Sequence, residues 1–469
     1  MANLVVVNPA TEEVLAELPQ ATTAEVRAVI DEAYDAFLKW SETPLKTRAK
    51  LLLRAADLLE SARDDLLKIL VAESGKPIRD AEVELLRAVT IVRASAEEAR
   101  FVLQGVVPRV DAYDYPPGNE ERLVAELREP VGVVGGALSY NNPASTFAHK
   151  VAPVVAAGNT VIVKPSSYTP LTALKMAEIF HKAGFPRGVV NVVVGSGEDV
   201  FNELIDSPKV AGISFTGSTA VGLQVAAKAA GRGKRYMIAP GGSDPAVVFE
   251  DADIEAAAAT IVRARFENAG QNCNATKRVF VQRSIYERLL TLLVEKTAAL
   301  RVGNPADPST DVGPLISDKM VKAMEKAVAE AQAQGGRVLI GGRRLGQRGF
   351  FYAPTVIAFK NDVDTYVLRE EVFGPVLPVV PFDTEDEAVA LANNTKYGLQ
   401  AAVYTKDYRR AMRVAKAIKA GSVMINDTTR VRFDALPYGG VKMSGLSWRE
   451  GVRSTMWFFT EPKFYVWRM

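Results

Sequence analysis

The alternation of strand and helix patterns between residues 130 and 240 constrains the fold of this chain more than any other feature. Apolar runs at 131–137, 160–163, 189–193 and 211–215 predict strands, and helical patterns cover 171–183, 198–205 and 218–230. Such alternation predicts a mostly parallel sheet with helices on both faces, the architecture of nucleotide-binding domains. Loops at the carboxyl ends of the strands are then expected to hold a ligand.

A second alternating segment follows over residues 241–433. Its predicted strands lie near 246–249, 277–282, 338–340 and 401–404. Before both segments, residues 22–106 carry long Leu, Ala, Glu and Arg patterns with leucines on one face, which predict amphipathic packing helices.

Two further segments read as strands outside these units. Residues 107–128 predict two strands joined at the turn-rich Pro-Pro-Gly-Asn (116–119), and the aromatic stretch 457–467 predicts a strand near the carboxyl end. An isolated two-stranded ribbon is marginally stable in water. These strands therefore need a partner surface, either on the same chain or on another copy of it.

Charge and cysteine usage restrict the classes of function. The 469 residues hold 57 Lys and Arg against 55 Asp and Glu, and the net charge of +2 gives no bulk electrostatic reason to bind nucleic acid or membrane. A single cysteine excludes a disulfide framework within the chain and is typical of a reducing compartment. The sequence shows no 18-residue apolar stretch and no signal peptide, so we expect a cytoplasmic protein.

That cysteine, Cys273, lies in Phe-Glu-Asn-Ala-Gly-Gln-Asn-Cys (266–273), between a helical pattern and a predicted strand. Connections of this kind often carry nucleophiles. A lone cysteine is also often a small buried apolar residue with no chemistry. The stretch alone leaves both interpretations open, because the reactivity of a thiol depends on its pKa and exposure.

The same stretch resembles the nucleophile motif of the aldehyde dehydrogenase superfamily, and the resemblance extends over essentially the whole chain. Other landmarks of the family follow in its order: Pro-Val-Gly-Val-Val-Gly (130–135), Ser-Tyr-Asn-Asn-Pro (139–143), Phe-Thr-Gly-Ser-Thr (215–219), Glu-Val-Phe-Gly-Pro (371–375) and Pro-Tyr-Gly-Gly (437–440). Gly-Gly-Ser-Asp-Pro (241–245) and Ile-Asn-Asp-Thr-Thr (425–429) look most like the succinate-semialdehyde and lactaldehyde dehydrogenase branch.

The resemblance implies an α/β fold with a Rossmann-type cofactor domain, an α/β catalytic domain and a small β arm for oligomerisation. We expect the cofactor domain at 1–108 and 129–240, the catalytic domain at 241–440, and the arm at 109–128 and 455–469. The arm implies a homodimer or a homotetramer.

The resemblance also assigns roles to individual residues. Cys273 is the expected nucleophile, and its backbone N–H would form an oxyanion hole with the side-chain amide of Asn141, with Asn142 beside it as the alternative. The residues expected to bind the cofactor are Lys164, Ser167, Gly217, Ser218, Gly222, Glu371 and Phe373. Ser167 stands where relatives that prefer NAD often carry Glu, and a serine leaves room for a 2′-phosphate. NADP is therefore favoured, with NAD as the alternative.

The chain departs from the family at Ala239, where relatives carry the Glu that activates the deacylating water. General-base catalysis contributes about 10²–10⁴-fold, so hydrolysis of an acyl-enzyme is expected to be slow. Four interpretations stay open. The chain is an engineered variant halted at deacylation, or a natural Ala enzyme in which Glu267 or Glu371 acts through water, or a dehydrogenase that transfers the acyl group to coenzyme A. It could also be a non-catalytic protein that binds a dinucleotide.

The loop 428–434 falls where family members shape the substrate entrance. Arg430 or Arg432 could bind a carboxylate or phosphate, since a guanidinium binds such groups bidentately. A salt bridge with Asp427 or Asp434 is an equally good interpretation. We expect a small anionic or hydroxylated aldehyde such as succinate semialdehyde, lactaldehyde or glyceraldehyde, the last either free or phosphorylated. The two histidines have no ligand spacing, so no metal site is expected.

Overall fold

The computed structural model describes residues 3–469. The helices are α1 (Thr23–Trp40), α2 (Leu45–Ser61), α3 (Arg63–Ser74), α4 (Ile78–Val102), α5 (Pro143–Ala156), α6 (Pro170–Ala183), α7 (Gly197–Asp206), α8 (Thr219–Ala230), α9 (Ile254–Phe266), α10 (Tyr286–Ala298), α11 (Asp318–Ala333), α12 (Tyr366–Arg369), α13 (Glu385–Asn393), α14 (Tyr408–Ala417) and α15 (Val452–Phe458). The strands are β1 (Leu4–Val7), β2 (Val14–Leu18), β3 (Arg122–Pro130), β4 (Val133–Ala137), β5 (Thr160–Lys164), β6 (Val190–Val192), β7 (Val210–Thr216), β8 (Arg235–Ala239), β9 (Asp244–Val248), β10 (Thr276–Gln282), β11 (Arg337–Ile340), β12 (Thr355–Ala358), β13 (Val376–Phe382), β14 (Gln400–Tyr404), β15 (Ser422–Ile425) and β16 (Thr460–Arg468).

The predicted parallel sheet is present as five strands in the order β6-β5-β4-β7-β8. The chain runs outward from the central β4 through β5 and β6 and then returns to β7 on the other side of β4. Ligands of doubly wound sheets bind at the carboxyl ends of the strands where the order reverses in this way. Helices cover both faces, and all five residues of β5 are accordingly buried. The α/β fold class is confirmed.

A seven-stranded sheet follows, in the order β11-β12-β13-β10-β9-β14-β15. All its neighbours are parallel except β11, which runs antiparallel to β12 at the edge. The four strands predicted in this segment are confirmed as β9, β10, β11 and β14. We retain the predicted domain bounds as a proposal, since the two sheets fall within 129–240 and 241–440 respectively.

The predicted strand pair at 107–128 was wrong in its first half. Two single 3₁₀ turns, Val110–Ala112 and Asn119–Glu121, lie there, and only a single bridge between Val106 and Glu126 remains of the first strand. The second strand forms as β3 and pairs along its whole length with β16, antiparallel. The partner surface that the ribbon needed is therefore supplied by the end of the same chain. Among residues 3–469, no helix is both long and apolar enough to span a bilayer.

Candidate active site

A cavity of about 1210 Å³ opens at the carboxyl ends of β4, β5, β7 and β8 and extends to the loops of the second sheet. Nearly all the residues that the sequence analysis nominated line it: Asn141, Lys164, Ser167, Gly217, Ser218, Ala239, Cys273, Glu371, Phe373, Arg430 and Arg432. Glu267 and Gly222 do not line it. Gly222 is buried in α8, with Ile238 on the side where a Cβ would stand. A Cβ at Gly222 would lie 2.8 Å from Ile238 Cγ2, so this glycine allows α8 to pack close to β8.

A strained turn carries the thiol of Cys273. Between α9 and β10, three successive residues adopt positive φ angles: Asn268 (51°), Ala269 (53°) and Gly270 (72°). Non-glycine residues in this region cost about 1–3 kcal/mol each and persist only where the surroundings enforce them. Asn268 is held by its backbone N–H, which donates to Asp80 at 3.0 Å, and by its side-chain amide, which donates to the carbonyl of Asn141 at 3.2 Å. Lys277 holds the residues after the turn by donating from Nζ to the carbonyl oxygens of Asn272 (2.8 Å) and Cys273 (2.5 Å). The half-buried Cys273 side chain is thus held at the cavity wall.

The two neighbouring asparagines have different surroundings. Asn141 is buried and donates from Nδ2 to the carbonyl of Gln271 at 2.8 Å, which links it to the turn that carries the thiol. An amide nitrogen has two protons, so one remains for a ligand. Asn142 instead accepts from Lys76 Nζ at 2.8 Å. Lys76 is in turn paired with Glu84 in the protein interior. Asn141 is therefore the better placed of the two to donate into the cavity.

The cavity wall near Ala239 contains another carboxylate. Ala239 ends β8, and the side chain of Glu371 folds over the loop that follows, so that a Cβ on Gly241 would overlap the carboxylate. Glu371 accepts from the backbone N–H of Gly242 at 3.2 Å, and Lys277 Nζ lies 3.8 Å from it. Burial raises the pKa of the Glu371 carboxyl above its usual value. Phe373 packs edge-on against Tyr140, with ring centroids 5.9 Å apart.

Glu267, the other carboxylate that could replace the missing base, is engaged in an ion pair. Its Oε1 lies 2.5 Å from Nη2 of Arg430. Although burial opposes it, the Arg430 guanidinium holds the pKa of Glu267 below its usual range. Burial and the charge of Glu267 raise the pKa of the nearby Asp80 to about 6. Glu267 is therefore a paired anion, and of the two carboxylates Glu371 lies nearer to the loop after Ala239.

The arginines at the other end of the cavity form salt bridges, though not entirely those expected. Arg430 pairs with Glu267 rather than with Asp427, and Arg432 pairs with Glu450 at 3.1 Å as well as approaching Asp434 at 3.5 Å. The Nε atoms of both arginines are buried without a hydrogen-bond partner. Both arginines line the cavity while their charges are compensated by carboxylates.

His149 adds a neutral polar group to this region. Its Nε2 lies 3.2 Å from Oδ1 of Asp434. Burial, reinforced by the charge of Arg432, lowers the pKa of His149 to about 4. Among residues 3–469, no group of three or more His, Cys, Asp or Glu side chains is arranged to hold a metal ion.

The cofactor-side residues surround the start of α8. Lys164, at the end of β5, donates to the carbonyl of Pro165 at 3.0 Å, and burial lowers its pKa. Ser167 is exposed at the cavity edge. The N-cap residue Ser218 makes no side-chain hydrogen bond to the first turn of α8. The open N–H groups of that turn and the helix dipole favour a bound anion such as a pyrophosphate.

Sequence analysis missed one residue at the thiol, Tyr438. Its Oη lies 3.2 Å from Sγ of Cys273. Burial, followed by the adjacent cysteine, raises the pKa of Tyr438 well above its ordinary value. The motif Pro-Tyr-Gly-Gly (437–440) had been identified, but nothing in it indicates a contact with a residue 165 positions earlier.

Comparisons with known proteins agree with the fold and with the family resemblance. The model of the aldehyde dehydrogenase family matches residues 2–465. The chain is 38% identical over 457 residues to a mitochondrial succinate-semialdehyde dehydrogenase of Oryza sativa subsp. japonica, covering 97% of this chain and 85% of that protein. It is 39% identical over 461 residues to the 3-sulfolactaldehyde dehydrogenase of Priestia aryabhattai, covering 98% and 94%. The structure of glyceraldehyde-3-phosphate dehydrogenase GapN from Methanocaldococcus jannaschii, complexed with NADP, superposes with a TM-score of 0.93 at 35% identity and covers 100% of both chains.

Proposed function

This chain belongs to the aldehyde dehydrogenase family, and we propose that it oxidises a small polar aldehyde through a thioacyl intermediate on Cys273, with NADP or NAD as hydride acceptor. The observation that carries the proposal is the meeting of three groups at one cavity: the Cys273 thiol, the Asn141 amide and the open first turn of α8. A nucleophile, an oxyanion donor and an anion site are what this reaction requires.

The residues on the cofactor side fit a dinucleotide. The uncapped N-terminus of α8 suits its pyrophosphate, and Lys164 suits a ribose hydroxyl or a phosphate. The exposed Ser167 introduces no negative charge against a 2′-phosphate, which supports NADP, as does the NADP in the GapN structure. Glu371 and Phe373 would contact the nicotinamide end. When bound, the nicotinamide supplies a hydride acceptor.

The chain's own residues would carry the remaining steps. The Cys273 thiolate attacks the carbonyl carbon, and the carbonyl electron pair moves onto oxygen, where the free proton of the Asn141 amide and the Cys273 backbone N–H stabilise it. Once the thioacyl group has formed, an acceptor must remove it. Ala239 supplies no base for water, so we propose that hydrolysis is slow and that Glu371, with its raised pKa, is the carboxylate best placed to assist it.

The walls of the substrate end favour a small polar aldehyde. Arg430, Arg432, His149 and Asn142 line the cavity. We propose that Arg430 or Arg432 binds an anionic or hydroxyl group on the substrate. Succinate semialdehyde, lactaldehyde and glyceraldehyde, free or phosphorylated, satisfy this requirement. The relatives are named as dehydrogenases of succinate semialdehyde, 3-sulfolactaldehyde and glyceraldehyde 3-phosphate.

We also propose that the protein forms a homodimer or a homotetramer and that it is located in the cytoplasm. The paired strands β3 and β16 leave large apolar side chains exposed, among them Phe464 and Val466 on one face of the ribbon. Exposed apolar patches of this kind often mark contacts between subunits.

A second function is favoured by one observation. Position 239 supplies no general base. A thiolate such as that of coenzyme A attacks a thioester without a general base, so transfer of the acyl group to coenzyme A would not be slowed by Ala239. A non-catalytic dinucleotide-binding protein is the third candidate, and the presence of the Cys273 thiol and the Asn141 amide at one cavity argues against it.

Single-turnover kinetics distinguish the three. The protein would be mixed with NADP and each aldehyde of a semialdehyde panel, while absorbance of the reduced cofactor and intact mass are followed, with Cys273→Ala as the control. A stoichiometric burst with mass added in the wild type but not in the control supports the dehydrogenase. A burst that becomes turnover only with coenzyme A supports acyl transfer. Cofactor binding without a burst for any aldehyde refutes both.

A further inference from the structure

The phenol of Tyr438 is held in a defined position beside the reacting sulfur. Its backbone N–H donates to the carbonyl of Glu450 at 2.6 Å, and the N–H of Glu450 donates back at 3.0 Å. The Arg432 guanidinium lies over the ring, 4.0 Å from the centroid, and is itself paired with Glu450. Backbone and ring are therefore both fixed, and Oη lies 3.2 Å from Sγ of Cys273.

The direction of this hydrogen bond follows from chemistry. A thiolate has no proton and can only accept. Tyr438 keeps its proton over the neutral range, because burial disfavours the charged phenolate. Whenever Cys273 is ionised, the hydroxyl must therefore be the donor. A hydrogen bond to the charged form of a group favours that form and lowers its pKa.

Few other groups compete for this role around the sulfur. Arg430 and Lys277 are the cations near Cys273, and each is engaged with a carboxylate: Arg430 with Glu267 and Lys277 with Glu371. Within residues 3–469, the Tyr438 hydroxyl is the one hydrogen-bond partner of the Cys273 Sγ atom. Position 239, which faces the same cavity, carries only a methyl group.

We propose that Tyr438 is a further catalytic residue, whose hydroxyl donates to Sγ and stabilises the Cys273 thiolate. The catalytic role that we assign to Tyr438 rests on the proposed function. In the step concerned, the thiol proton passes to solvent water and the sulfur keeps the electron pair. That pair then forms the C–S bond as the carbonyl π pair moves onto oxygen. Tyr438 keeps its proton throughout, so it acts as a donor and not as a base.

The test is the pH dependence of alkylation of the full chain by iodoacetamide. Cys273 is the single cysteine, so intact mass reports its alkylation directly. A hydrogen bond to a charged group is worth enough to move a pKa by about one to two units. We expect the midpoint of the rate–pH curve to rise by that amount in Tyr438→Phe. The midpoint is the measure to compare, because a thiolate of higher pKa is intrinsically more nucleophilic and offsets part of the rate loss.

Tyr352→Phe is the matched control. Tyr352 is fully buried, and its hydroxyl has no hydrogen-bond partner and does not line the cavity. We expect its midpoint to equal that of the wild type. If Tyr438→Phe lowers the melting temperature, Tyr438→Met provides a second variant without a donor.

Equal midpoints for the wild type and a folded Tyr438 variant would overturn the proposal. Alkylation needs neither aldehyde nor cofactor, so this outcome is independent of the burst experiment. A wild type without a burst but with a shifted midpoint in the variant would refute the proposed function and leave the thiolate–phenol contact established.

Discussion

Replacing Ala239 by Glu is expected to convert a single-turnover enzyme into one that turns over. Ala239 is half-buried at the cavity wall, and the loop after it is already covered by the Glu371 carboxylate. A second carboxylate close to Glu371 raises the pKa of one member of the pair, because like charges disfavour ionisation. That places a base nearer to neutral pH, where general-base catalysis is most effective. We expect the steady-state rate to rise by about 10²–10⁴-fold.

The assay compares burst amplitude and steady-state rate, both read from the reduced cofactor, in wild type, Ala239→Glu and Ala239→Gln. Glutamine has nearly the same size as glutamate but cannot accept a proton, so Ala239→Gln controls for filling the space. The expected result is an unchanged burst in all three and sustained turnover in the Glu variant alone. Equal steady rates for the Glu and Gln variants, or a wild type that already turns over as fast as Ala239→Glu, would refute the reasoning.

Three further predictions concern the cofactor, a buried ion pair and a buried histidine. Ser167→Glu should weaken NADP binding by tenfold or more and leave NAD binding nearly unchanged, because a carboxylate beside a 2′-phosphate costs on the order of several kcal/mol. Equilibrium titration with both cofactors measures the two affinities. A parallel loss of affinity for both would contradict the prediction. Lys76→Met leaves Glu84 buried without its cation and should lower the free energy of unfolding by about 3–5 kcal/mol, measured by denaturant titration; a loss below 1 kcal/mol would show that the pair contributes little. His149 has a pKa lowered to about 4 from a usual 6.5, so its contribution to stability is present above pH 6.5 and is lost as the pH falls through 4. The stability of wild type relative to His149→Gln should therefore decline between these pH values in thermal melts, and a constant difference would contradict the assignment.

Two elements that the sequence analysis missed, α5 and β13, share a physical cause. All fourteen residues of α5 are buried, so the segment shows no amphipathic period from which a helix could be predicted. β13 contains Pro378 and Pro381 although it lies between β12 and β10. Prolines normally argue against an interior strand because they cannot donate to the ladder. Where tertiary burial overrides the local pattern in this way, sequence reasoning fails.

At the site, sequence analysis found the individual residues but not their contacts. Cys273, Asn141 and Ala239 were found from motifs that lie along short stretches of chain, and all three line one cavity. The partners of these residues were not found. A salt bridge with an aspartate of the same loop was one of two equal interpretations of Arg430, yet its partner Glu267 lies 163 residues earlier. The roles of the nominated residues remain predictions that the experiments above test.

The sequence by itself determined the fold class, the family and the stretch that carries the thiol, because strand–helix alternation and short motifs are local properties of the chain. Only the tertiary structure decided which groups meet that thiol. The long loop after β15 returns to the turn before β10, where the Thr429 hydroxyl donates to the carbonyl of Asn274 at 2.8 Å, and the same loop places Tyr438 beside Cys273 across 165 residues. A contact of this range depends on how the elements pack, and no periodicity or spacing within either segment encodes it.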